Sequence, residues 1–65
     1  MPTIHVTLLE GRSREVKREL IARLTDVVET VAGTPRDGIT VILHEVTPED
    51  YGRGGVTIAD RRAAG

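Results

Sequence analysis

The sequence predicts an α+β fold centred on a β-α-β unit, on three observations. Residues 2–9 alternate like a strand, residues 14–32 carry a helical apolar period, and residues 39–46 form a second strand-like run. In the first run Ile4, Val6 and Leu8 share one face and Thr3, His5 and Thr7 the other, the period-2 signature of a strand with one apolar face. Glu10-Gly11-Arg12-Ser13 then breaks the alternation. Gly11 permits a turn, Ser13 is placed to N-cap a helix, and Glu15 suits the positive end of its dipole. Across 14–32 Val16, Leu20, Leu24, Val27, Val28 and Val31 recur at spacings of three and four, and predict a core-facing stripe. Gly33 fits a C-terminal cap and Pro35 bars continuation. In residues 39–46, Ile39, Val41 and Leu43 make one face, and Thr40, Ile42, His44 and Val46 make a second that is also largely apolar. Such a strand calls for cover on both faces, the helix supplying one and another subunit the second. A crossover of this length makes the two strands parallel and the unit right-handed.

Beyond the unit, Pro48-Glu49-Asp50 reads as a turn. The stretch Tyr51-Gly52-Arg53-Gly54-Gly55 has three glycines in five residues and predicts a hairpin or a close backbone approach. Val56-Thr57-Ile58 reads as a short strand, and residues 60–65 as a frayed end.

Composition bounds the rest. Sixty-five residues make one domain, 1–65, with no Cys to staple it, one Tyr, and neither Phe nor Trp. With 38% hydrophobic residues, so small a core is marginal alone and predicts an oligomer that shares core between subunits. Nine basic and ten acidic residues, net charge −1, argue against a nucleic-acid footprint. No apolar run approaches the roughly 20 residues of a membrane span, and the N-terminus lacks a signal peptide's apolar core. The expectation is a soluble cytoplasmic protein with neither nucleic acid nor membrane as partner. His5 and His44 fall on strands expected to be neighbours, but no third residue has convincing ligand spacing, so structural roles and no metal are expected. The glycine stretch lacks the Lys-Ser/Thr ending of a phosphate loop.

The chemistry begins at Pro2. Removal of Met1 would make it a free secondary amine, and a model α-amino group ionises at about 7.7–8.0, below any lysine. Neighbouring cations and burial disfavour its protonated form further. Such a group can take a proton from carbon and return it.

Met1-Pro2 opening a strand, Leu9-Glu10-Gly11-Arg12-Ser13 before the helix and Tyr51-Gly52-Arg53-Gly54-Gly55 near the end make the sequence similar, over nearly its whole length, to the 4-oxalocrotonate tautomerase family. The resemblance implies Met1 removal and a parallel two-strand unit with crossover helix plus a short C-terminal hairpin. It also implies a hexamer built as a trimer of dimers. It implies that Pro2 is the acid–base catalyst, Arg12 the ligand of a substrate carboxylate and Tyr51 an apolar wall beside the proline. Leu9 joins the same substrate-binding set. The substrate class is a small unsaturated keto or enol acid, and no cofactor is called for. One position departs. The family carries a second essential arginine where this chain has Thr40, and threonine cannot supply that charge. Arg53 is the leading replacement and Arg36 a lesser one. Two other outcomes follow from the departure: a hydratase- or dehalogenase-like reaction in which protonated Pro2 delivers a proton, or a noncatalytic subunit of a hetero-oligomer. The first lacks a water-activating carboxylate, because position 53 is Arg.

Overall fold

A computed structural model describes residues 1–65. Strand β1 (Thr3–Leu9) leads through a short loop to helix α1 (Arg14–Ala32), and a 3₁₀ turn (Arg36–Gly38) leads into strand β2 (Thr40–Val46). A second 3₁₀ turn (Pro48–Asp50) precedes β3 (Gly52–Arg53) and β4 (Val56–Thr57), and the chain closes with helix α2 (Ile58–Ala63). β1 and β2 pair in parallel with Ile4 opposite Val41 and Val6 opposite Leu43, and β3 and β4 form a two-stranded antiparallel hairpin. The predicted α+β unit is therefore present, and the glycine stretch resolves as a hairpin whose turn glycines, Gly54 and Gly55, both have positive φ.

The ends of α1 follow the local chemistry. Ser13 Oγ accepts from the Val16 backbone N–H at 3.2 Å, and Gly33, at φ 68°, donates its N–H to the Glu29 carbonyl at 3.1 Å. Glu29 in the last turn opposes the dipole. Arg36 offsets it by folding back onto Asp26 at 2.6 Å and Glu29 at 3.1 Å. Gly33→Ala is expected to cost about 1 kcal/mol, because an L side chain in the left-handed region crowds its own backbone. Nothing else lies within 4 Å of the added Cβ. Gly38→Ala, whose Cβ would make an ordinary 3.6 Å contact with Thr34 Cγ2, is expected to be neutral. Urea titration of both variants at one protomer concentration checks the contrast.

Helix α1 covers the face carrying Ile4, Val6, Leu8, Val41 and Leu43. Glu45 falls on that same face, and Lys17 of α1 meets it at 2.9 Å. Leu8, 9% exposed, is the one residue the chain buries. The apolar stripe of α1 is wider than two strands can cover. Leu20, Leu24 and Val28 are half-buried, but Val16 and Val27 are 48% and 58% exposed. The expectation that the whole stripe faces this chain's own core is thus corrected. Most of the other sheet face, with Thr3, His5, Thr7, Thr40, Ile42 and His44, is exposed, and only its end at Leu9 and Val46 is half-buried. On this face the rings of His5 and His44 stack, with Nδ1 of one 3.0 Å from Nε2 of the other, so one nitrogen donates and the other accepts.

The molecule is elongated, 46 × 24 × 14 Å, with a radius of gyration of 15.2 Å. A compact domain of this length has about 11 Å. Its accessible surface is 4820 Å², whereas a compact 7.1 kDa chain exposes about 4,100 Å². The excess surface and the two open faces have one cause: two strands and one helix cannot enclose a core.

The C-terminus differs from expectation. Residues 58–63 are helical, because Thr57 Oγ1 accepts from the Asp60 N–H at 3.0 Å, Asp60 occupies the first turn, and Arg61 and Arg62 the last. Ile58 therefore starts a helix instead of extending a strand. Its N–H donates to the Tyr51 carbonyl at 2.8 Å, and Arg61 donates to the Arg53 carbonyl at 3.0 Å. No helix is long and apolar enough to cross a membrane.

Candidate active site

Four of the residues singled out from sequence meet in one hollow. Leu9, Arg12, Tyr51 and Arg53, with Thr7, Leu8 and Ile58, line a cavity of 240 Å³. Leu9 ends β1, and the Gly11 turn brings Arg12 back over it, where the guanidinium donates to the Leu9 carbonyl at 2.8 Å. The second 3₁₀ turn and the hairpin deliver Tyr51 and Arg53 from the other side, held there by α2 through Ile58 and Arg61. Neither Arg12 nor Arg53 has a carboxylate partner, since the chain's ion pairs engage Lys17, Arg23 and Arg36 alone. Two unpaired guanidinium groups against Leu9, Ile58 and a tyrosine ring make a wall that attracts a small anion with an apolar body.

Pro2 and Thr40 lie elsewhere. The Thr40 N–H donates to the Pro2 carbonyl at 3.0 Å, so the two sit together where β1 and β2 begin. Pro2 is half-buried, and Met1 before it is 96% exposed. Seven residues separate Pro2 from Leu9 along an extended strand, about 23 Å at 3.3 Å per residue. Within one chain, Pro2 cannot reach a ligand held by Arg12.

Arg36, the lesser replacement for the missing family arginine, is engaged by carboxylates in this chain. Its hydrogen bonds to Asp26 first and Glu29 second push its pKa above the ordinary arginine value and occupy the guanidinium. Arg53 remains unpaired. Sequence reasoning missed Thr7 and Ile58 as lining residues. Thr7 shares the Leu9 face by simple alternation, and the Thr57-x-x-Asp60 pattern signals the helix that turns Ile58 inward.

Comparison with known proteins gives the family and the fold. The sequence profile described as "Tautomerase enzyme" matches residues 2–61. The chain belongs to the tautomerase family. This tautomerase is 43% identical over 61 residues to a probable tautomerase of Staphylococcus aureus, covering 94% of the chain and 100% of the relative. It is similar to a 4-oxalocrotonate tautomerase isozyme from Methylibium petroleiphilum, with a TM-score of 0.95 and 34% identity over 98% of this chain and 100% of that one. It is also similar to a heterohexamer 4-oxalocrotonate tautomerase from Chloroflexus aurantiacus, with a TM-score of 0.87 and 33% identity over 92% and 97% of the two chains.

Proposed function

We propose that this tautomerase interconverts the enol and keto forms, or the double-bond isomers, of a small unsaturated carboxylic acid. Pro2, exposed by removal of Met1, acts first as general base and then as general acid. The observation that carries the proposal is the hollow in which Arg12 and Arg53, both unpaired, stand beside Tyr51. An enol acid presents a carboxylate, which Arg12 grips, and an oxygen on which charge grows as the carbon proton leaves, which Arg53 stabilises. The same cations and the apolar ring disfavour a prolinium nearby, keeping the amine ready as a base. The proton goes from substrate carbon to Pro2 nitrogen and back to a different atom of the same substrate, so no cofactor takes part.

The separation of Pro2 from Arg12 requires a second subunit to bring its own Pro2 to the hollow. The uncovered faces of α1 and the sheet give that subunit its contact surfaces. A hexamer arranged as a trimer of dimers is the assembly proposed, and the hexameric relative from Chloroflexus aurantiacus supports it. A cytoplasmic location fits such a protein.

The test follows the ultraviolet absorbance of phenylenolpyruvate. Arg53→Ala is expected to lower kcat/KM by about 10²-fold, in the range for loss of one oxyanion donor. Unchanged turnover would remove Arg53 from the role left vacant at Thr40. That vacancy favours a second reading, a noncatalytic subunit that lends Arg12 to a partner chain's site. Retained Met1 by intact mass, or failure of the lone chain to assemble by gel filtration, would favour it over catalysis.

A further inference from the structure

We infer that this site takes a 2-oxo or 2-enol monocarboxylate with an uncharged tail, and that Asp50 excludes a second carboxylate from the tail end. The inference rests on the proposed tautomerase reading of the hollow and names the class of acid it accepts.

The cavity holding Arg12 and Arg53 adjoins another of 350 Å³, and the two share Thr7 and Tyr51 as lining. Their charges differ in sign. The second is lined otherwise by Val46, Gly52 and Asp50, with no cation. Asp50 is pinned in place twice, its N–H donating to the Thr47 carbonyl at 3.0 Å and its Oδ2 accepting from Thr47 Oγ1 at 3.1 Å. The other carboxylate oxygen receives no hydrogen bond from the chain and keeps its full capacity as an acceptor. A ligand lying across Tyr51 therefore meets two positive groups at one end and a fixed negative one at the other.

That polarity selects among small acids. In a 2-oxo acid the carboxylate and the neighbouring C2 oxygen are adjacent, so two clustered guanidinium groups engage both without help from the distal end. A diacid carries its second charge to the far end. There it faces Asp50, and that end is lined by no cation. Val46 and the tyrosine ring suit an alkyl or aryl tail.

Two acids of identical chain length test this, 2-oxohexanoate and 2-oxoadipate, bound to the assembled wild-type protein and followed by calorimetry. The monoacid is expected to bind about tenfold more tightly, the scale of one partly screened like-charge contact. Asp50→Asn is expected to strengthen 2-oxoadipate severalfold and so narrow the ratio between the two acids. Equal or tighter binding of 2-oxoadipate by wild type overturns the inference. So does an unaltered ratio in Asp50→Asn, or failure of both acids to bind. The binding ratio involves no proton transfer. If the monoacid preference holds but enol acids are not turned over, the catalytic reading fails and the charge asymmetry of the site stands.

Discussion

Replacing Pro2 with Ala is expected to lower kcat/KM for an enol acid by about 10²–10⁴-fold, the contribution of a positioned general acid–base. The variant keeps an α-amino group at the chain terminus once Met1 is removed, so the loss measures what the ring adds. The pyrrolidine fixes φ near −65° and holds the nitrogen in one direction, whereas a primary amine on alanine rotates freely. The anchor of this segment is a backbone bond, Thr40 N–H to the residue 2 carbonyl at 3.0 Å, and alanine preserves it. Assembly and helical circular dichroism are therefore expected to match wild type, which separates a catalytic defect from a folding one. Intact mass must show Met1 absent in both proteins. A variant that turns over phenylenolpyruvate as fast as wild type would remove the pyrrolidine ring from the mechanism.

Both strands and α1 were legible because each announces itself locally. The alternation at Ile4-Val6-Leu8, the Ser13 cap and the Gly33–Pro35 stop need no tertiary information. α2 has local signals in Thr57 and Asp60, but its place at the chain's end reads as a frayed terminus. What decides the matter is the docking of α2 on the second 3₁₀ turn and the hairpin, through Ile58 to Tyr51 and Arg61 to Arg53. The site was half legible. Arg12 and Arg53 stood out as arginines among turn residues, but their convergence on one hollow depends on how the hairpin folds back toward β1. Arg36, the lesser candidate by sequence, lies beside α1 with its guanidinium on Asp26 and Glu29. The width of the α1 stripe was misread for a related reason. Periodicity says which residues share a face but not how much neighbouring surface exists to cover them. Asp50 lacks any distinctive pattern, and only the shape of the surface around Tyr51 brings it into play.

The second large effect concerns the uncovered faces. Val27→Asp is expected to abolish assembly and folding together, while Ala22→Asp on the opposite side of α1 leaves both intact. Both substitutions lower helix propensity by placing aspartate in a helix interior, so propensity alone does not separate them. Their surroundings in an assembly do. Val27, 58% exposed in the lone chain, lies with Val16 on the stripe that the sheet does not reach. Covered by a neighbour, a carboxylate there would lose its water and gain no cation, at a cost of several kcal/mol per subunit. Domains hold only about 5–15 kcal/mol of net stability. A chain that buries Leu8 alone has no reserve of its own. For such a protein the folded state and the assembled state are one equilibrium, and stability rises with protomer concentration. Sedimentation and far-ultraviolet circular dichroism over a dilution series should therefore show wild type and Ala22→Asp losing mass and helicity in step. Val27→Asp should already lack both at the highest concentration. A folded monomer of Val27→Asp would break that link, and with it the claim that the active site is assembled between chains.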